Sequence, residues 1–163
     1  MIFCYSATKK TQVYAEVLGA ILHNPVCMLK SGLDPAGTFT LGLIVRALWL
    51  TITRKSTPVF NMPAQDNFNQ DEIYICCPVW GGYPAAPIRF FLEKAPLKGK
   101  KVHMILTAGV SHIKYIDNGK RMLADAGCIP GNIEVFATDS KVPIERDVIE
   151  SHIRQLMFDE VKA

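Results

Sequence analysis

Three short segments hold residues whose types and spacing suit the binding of a phosphorylated, flat ligand. The first is Tyr5-Ser6-Ala7-Thr8-Lys9-Lys10-Thr11. Its hydroxyls at Ser6, Thr8 and Thr11 can donate to phosphate oxygens, and Lys9 and Lys10 add positive charge. If a helix starts here, its first N–H groups and its dipole also favour an anion. The alternative is a helix N-terminus capped by Ser6 or Thr8. The second segment is Cys77-Pro78-Val79-Trp80-Gly81-Gly82-Tyr83-Pro84. Glycines 81 and 82 allow close backbone approach to a ligand, and the flanking aromatics can stack on one. The alternative is a turn with its aromatics folded back on the core. The third is Thr107-Ala108-Gly109-Val110-Ser111-His112, whose small residues suit the other side of the same ligand.

These segments are useful only if the fold brings them together. Apolar runs of strand length at Met1–Tyr5, Val26–Leu29, Glu72–Cys77, Lys101–Leu106 and Ile133–Ala137 alternate with segments of helical period. The helices are expected at Thr11–His23, Thr38–Arg54, Ala86–Ala95 and Ile113–Ala126, and in a last segment starting near Pro143. Ser31–Gly37 reads as a loop and Thr57–Gln70 as a long irregular connection. Strict alternation implies right-handed crossovers and a parallel sheet covered on both faces. In such a sheet, ligands bind beyond the carboxyl ends of the strands, which is where all three segments fall. Residues 1–163 read as one domain.

The remaining composition narrows the function. Net charge is +3, too mild to imply nucleic acid. Acidic groups gather toward the C-terminus, where residues 122–163 carry eight of them against four basic ones. Five cysteines fit no zinc spacing and read as reduced, buried thiols of a cytoplasmic protein. Vicinal Cys76 and Cys77 should face opposite sides of a strand. The four histidines show no metal spacing, and His112 reads either as a helix-start residue or as a ligand contact. No signal peptide precedes the first strand. The apolar stretch from Phe39 to Ile52 is interrupted by Arg46 and falls short of the roughly 20 residues that span a bilayer. A helix apolar nearly all round calls for burial on more than one side, in the core or in a homodimer contact through residues 38–54.

The three segments, in this order and spacing, resemble those of the flavodoxin family. Ser6-x-Thr8-x-x-Thr11 is similar to the family's phosphate loop. Pro78-Val79-Trp80 with Gly81-Gly82, then Pro87-Ile88-Arg89-Phe90-Phe91-Leu92 and Leu97-Lys98-Gly99-Lys100-Lys101-Val102, resembles its second loop, following helix and fourth strand. The resemblance implies a three-layer sandwich with a five-stranded parallel sheet in order 2-1-3-4-5, and non-covalent FMN. It implies that Ser6, Thr8 and Thr11 hold the phosphate; the charge of Lys9 and Lys10, which is this chain's own, favours the same anion. Pro78, Val79, Trp80, Gly81 and Gly82 would border the ring, with Thr107, Ala108 and Gly109 on its other side. It further implies electron transfer to a redox partner protein, or oxidoreductase activity with NAD(P)H and a quinone-type acceptor. Lys9-Lys10 stands where the family usually has Gly-Asn, so an interaction module that has lost FMN is the third reading. Tyr83 or Tyr115 would have to supply an outer stacking aromatic.

Overall fold

The computed structural model describes residues 1–33, 41–138 and 146–159. Its elements run β1 (Ile2–Tyr5), α1 (Lys10–Leu22), β2 (Val26–Leu29), α2 (Leu41–Ile52), β3 (Glu72–Trp80), β4 (Tyr83–Pro84), α3 (Ala86–Lys94), β5 (Lys101–Ala108), α4 (Ile113–Asp125), β6 (Ile129–Ala137) and α5 (Arg146–Asp159). The expected starts of the second and last helices, at Thr38 and near Pro143, lie outside the described residues, as does most of the Ser31–Gly37 loop.

Strand order in the sheet is β2-β1-β3-β5-β6, and these five strands pair in parallel. Counting only them, this is the expected order 2-1-3-4-5. The two-residue β4 is an addition, paired antiparallel with the end of β3. A further addition is a single 3-10 turn, Gln65–Phe68, inside the long connection; its Phe68 is buried.

Side chains alternate across the sheet with the two-residue period of extended chain. Ile2 and Cys4 of β1 face α1 and α5, with Tyr14, Val17, Leu18, Ile149 and Ile153. Phe3 and Tyr5 face the other way, toward Ile88, Phe91 and Leu92 of α3 and Leu123 of α4. Cys76 and Cys77 divide between the same two cores, as expected for strand neighbours. Helix α3 opens with Pro87 in its first turn, where a missing N–H costs nothing. Its Ile88, Phe91 and Leu92 then fall on one face. Helix α4 ends at Gly127, whose φ of 75° suits its donation to the Ala124 carbonyl at 2.9 Å.

Helix α2 departs from expectation. Leu50 and Thr51 are buried, but Leu41, Val45, Leu48 and Trp49 are each more than half exposed. Within the single chain, then, the described side chains of the helix are buried at Leu50 and Thr51 and open to solvent at Leu41, Val45, Leu48 and Trp49. Among the described residues no helix is long and apolar enough to cross a membrane.

Strand β6 starts four residues earlier than expected, because a bulge lets it continue past a polar stretch. Val102 pairs with Pro130 but Met104 with Ile133, so β6 carries one extra residue opposite His103. The Asn132 N–H displaced by the bulge donates to His103 Nδ1 at 3.1 Å, and the imidazole stacks on Tyr74 with centroids 4.7 Å apart. A Cβ at Gly131 would sit 2.8 Å from that ring. Gly131→Ala is therefore expected to lower stability by about 1–3 kcal/mol, the range for overpacking a filled site. A urea midpoint equal to the wild type's would contradict this.

Candidate functional site

Parallel pairing brings the three segments to one edge of the sheet. Cys4 pairs with Cys76, so two residues later Ser6 comes level with Pro78, and Pro78 itself pairs with Thr107. Ser6, Pro78 and Thr107 thus stand side by side where the strands end.

The first segment is a loop between β1 and α1. Lys9 occupies the N-cap position in the left-handed region, with φ 63° and ψ −7°, and makes no side-chain capping bond. A side chain there costs on the order of 1 kcal/mol. Lys9→Gly is therefore expected to raise stability by about 0.5–1 kcal/mol, the relief of strain less the added freedom of the unfolded glycine. A fall in the thermal midpoint would overturn that account. Neither Ser6 nor Thr8 caps the helix: Thr8 is exposed, and the Ser6 hydroxyl is shut away from solvent without a hydrogen-bond partner. The capping alternative is excluded on that ground. No acidic residue stands in the first turn of α1, so nothing there offsets its dipole.

Thr11 lies a turn deeper. It is buried, and its Oγ1 is 2.7 Å from Oγ1 of Thr107 across the site. Sequence reading placed both residues here but not against each other; 96 positions separate them. Whichever hydroxyl donates, the other keeps a proton with no acceptor among the described residues.

The second segment is a β-hairpin rather than a loop. Strand β3 continues through Pro78, Val79 and Trp80, and Trp80 pairs with Tyr83 across Gly81-Gly82. Both glycines have positive φ, 53° and 91°, the requirement of a two-residue turn that follows the sheet twist. Gly81 also has a packing role: a Cβ there would come within 2.7 Å of Thr51 on α2. The Gly82 carbonyl accepts from Asn118 Nδ2 of α4 at 2.9 Å. Trp80 is half-buried, edge-on to Tyr5 at 5.7 Å and packed on Leu33, Leu50 and Ala86. Much of the indole therefore faces the core.

Tyr83 is not placed as an outer stacking aromatic. Its hydroxyl accepts from Arg54 Nη2 at 3.1 Å, and the same guanidinium lies 5.3 Å from its ring centroid. Tyr115 is nearer the turn: its ring edge would lie 3.9 Å from a Cβ at Gly82.

The third segment divides. Thr107 and Ala108 belong to β5 and are buried, whereas Gly109 is exposed. His112 is the helix-start residue: its Nδ1 accepts from the Lys114 N–H at 3.1 Å, capping α4. The cysteines nearest the site are not nucleophiles. Burial pushes the Cys77 thiol up to about 12, partly opposed by a hydrogen bond from the Ala85 backbone. Burial raises Cys4 and Cys76 as well. Among the described residues no group of three His, Cys, Asp or Glu could hold a metal ion.

One orphaned hydroxyl at Ser6, two lysines and an uncapped helix start are a donor set that fits a phosphate ester. A glycine hairpin and small strand-end residues beside it leave room for a planar group.

No protein-family model and no curated protein sequence matches the chain. Solved structures do. A protein described as a flavoprotein from Bacteroides uniformis superposes with a TM-score of 0.73 at 18% identity, covering 94% of this chain and 96% of that one. A flavoprotein from Lactobacillus acidophilus, solved in complex with FMN, superposes with a TM-score of 0.64 at 27% identity, covering 82% and 90%. A flavodoxin, WrbA-like protein from Agrobacterium tumefaciens reaches 0.50 at 11% identity, covering 92% and 87%. With its sheet order and these relatives in structure, the chain has the flavodoxin-like fold, and the proteins it resembles over most of its length are flavoproteins.

Proposed function

We propose that this protein binds FMN non-covalently at the carboxyl ends of β1, β3 and β5 and uses it to transfer electrons. The observation that carries this reading is the Ser6 hydroxyl, buried without a partner at the head of a loop rich in donors. A buried polar group left unpaired costs about 1–3 kcal/mol, and a phosphate oxygen accepting from Ser6 removes that cost. In this reading Ser6, Thr8 and Thr11 donate to the phosphate. Lys9 and Lys10 balance its charge. The solved FMN complex of the Lactobacillus acidophilus protein supports the choice of cofactor.

Bound FMN would supply one- and two-electron chemistry. The chain's part is to orient it and limit its contact with water. Pro78, Val79, Trp80, Gly81 and Gly82 border the ring on the hairpin side, and Thr107, Ala108 and Gly109 on the other. The hairpin is braced from behind by Thr51 and Asn118, so its backbone edge is held before a ligand arrives. A preorganised edge lowers the ordering cost of binding.

The test is titration of FMN fluorescence with the purified protein. Saturable quenching is expected. No quenching up to about tens of micromolar protein would reject the reading and leave the interaction module, which the exposed apolar face of α2 favours. With FMN bound, rapid bleaching by NAD(P)H would assign a reductase taking hydride from NAD(P)H. Flavin that ignores NAD(P)H would assign a carrier serving a redox partner protein.

A further inference from the structure

A second cleft lies between α3 and α4, behind the hairpin, with a volume of about 260 Å³. Three arginines line it: Arg54 from just after α2, Arg89 from α3 and Arg121 from α4. Positions 54, 89 and 121 are too far apart for any local motif to announce them; only the packing of three elements brings them together. Among the described residues none of the three is within ion-pair distance of a carboxylate. Glu93 and Asp125 also line the cleft. Glu93 accepts from Ser56 at 3.1 Å, and three arginines against two carboxylates leave one positive charge in excess.

Two of the arginines are held in place. Arg54 sits in the left-handed region at φ 52°, and its guanidinium is fixed on the hydroxyl and ring of Tyr83. Arg89 donates through Nη1 to the Arg54 carbonyl. Burial pulls the Arg89 guanidinium below its ordinary value; Glu93 pushes back, Arg54 adds to the lowering, and Tyr83 and Asp125 oppose it. A negative group between the two would offset, by its charge, both the cost of burial and the repulsion. Apolar groups form part of the wall: Leu92 and Met122 are buried beneath the cleft, and the Tyr83 ring closes one side, with the Asn118 amide beside it.

We propose that this cleft binds a small organic oxyanion with an apolar body, its carboxylate or phosphate held by the arginines and its body against Leu92, Met122 and Tyr83. The planar guanidinium fork pairs two oxygens of such a group at once. At about 260 Å³ the cleft has more space than a bare inorganic anion fills and suits a one-ring acid. The site is separate from the proposed FMN phosphate loop and does not depend on it.

The experiment titrates benzoate, and separately inorganic phosphate, into the full chain with and without saturating FMN, following the Leu92 and Met122 methyl resonances by NMR. Benzoate is expected to shift both methyls saturably, with or without FMN, and to bind more tightly than inorganic phosphate. Arg121→Met should weaken it by about tenfold or more, the usual loss for a hydrogen bond to a charged group. Arg121 is exposed and makes no bond among the described residues, so this variant should fold. Arg89→Met should weaken it likewise. Methyls that do not move, or benzoate affinity untouched by Arg121→Met, would overturn the site. Inorganic phosphate binding as tightly as benzoate would overturn the role of the apolar wall.

Discussion

A Ser6→Ala, Thr11→Val double variant is expected to weaken FMN binding by about a hundredfold or more, while changing riboflavin binding by no more than about twofold. The first figure follows from two lost hydrogen bonds to a charged acceptor, each worth about 1.5–3 kcal/mol. The second follows from riboflavin's lack of a phosphate, which is the only group these hydroxyls are proposed to meet. The comparison matters because Thr11 also has a structural bond. Its hydroxyl lies 2.7 Å from that of Thr107 in a buried place, and valine removes one partner of that pair. Some loss of stability, about 1–3 kcal/mol, is therefore expected alongside. A loss of FMN affinity caused by general loosening would carry riboflavin down with it. Fluorescence titrations of both flavins into the folded variant separate the two. Equal weakening for both would remove the phosphate assignment from Ser6 and Thr11.

The largest effect on stability is expected from Phe91→Ala. Phe91 is fully buried at the centre of the α3-side core. Its ring centroid lies 4.9 Å from that of Phe3 on β1 and 6.0 Å from that of Phe68 in the 3-10 turn. One side chain thus joins a central strand, a covering helix and the long connection after α2. Deleting such a ring costs about 3–5 kcal/mol, because the cavity cannot collapse without moving all three. Domains of ordinary stability have only about 5–15 kcal/mol in hand. The variant should therefore show a large drop in urea midpoint. Leu48→Ala, on the exposed face of α2, should stay within about 0.5 kcal/mol of the wild type. If the two variants unfolded alike, the division between the buried core and the exposed face of α2 would be wrong.

Some of the site was legible because its signals are local. Strand-length apolar runs alternating with helical stripes specify a parallel sheet, and parallel strands must end on the same edge. Ser6, Pro78 and Thr107 could therefore be assigned to one place without coordinates. The strain at Lys9 was legible as a question, since two lysines replace the usual glycine and asparagine. The structure answered it with a φ of 63°.

Other features depend on register and packing, which have no local signature. Residues 78–80 looked like a loop because proline, tryptophan and glycine follow the apolar run. They extend β3 because Gly81-Gly82 can turn the chain back onto it. Helix α2, apolar nearly all round, called for burial on more than one side, in the core or against another surface. Hydrophobicity states what a side chain prefers, not whether its own chain has another surface to offer it, and within this chain Leu41, Val45, Leu48 and Trp49 stay exposed.

By itself, then, the sequence determined the layered α/β architecture, the sheet edge at which the three candidate segments meet, and the donor types gathered there. Those follow from periodicity and chain connectivity, which act between near neighbours. Only the tertiary structure decided that Thr11 meets Thr107, that Tyr83 turns to Arg54 and not to the proposed ring site, and that three distant arginines share a cleft. Each of these is a contact between elements, set by how helices pack on a twisted sheet and by nothing in the residues between them.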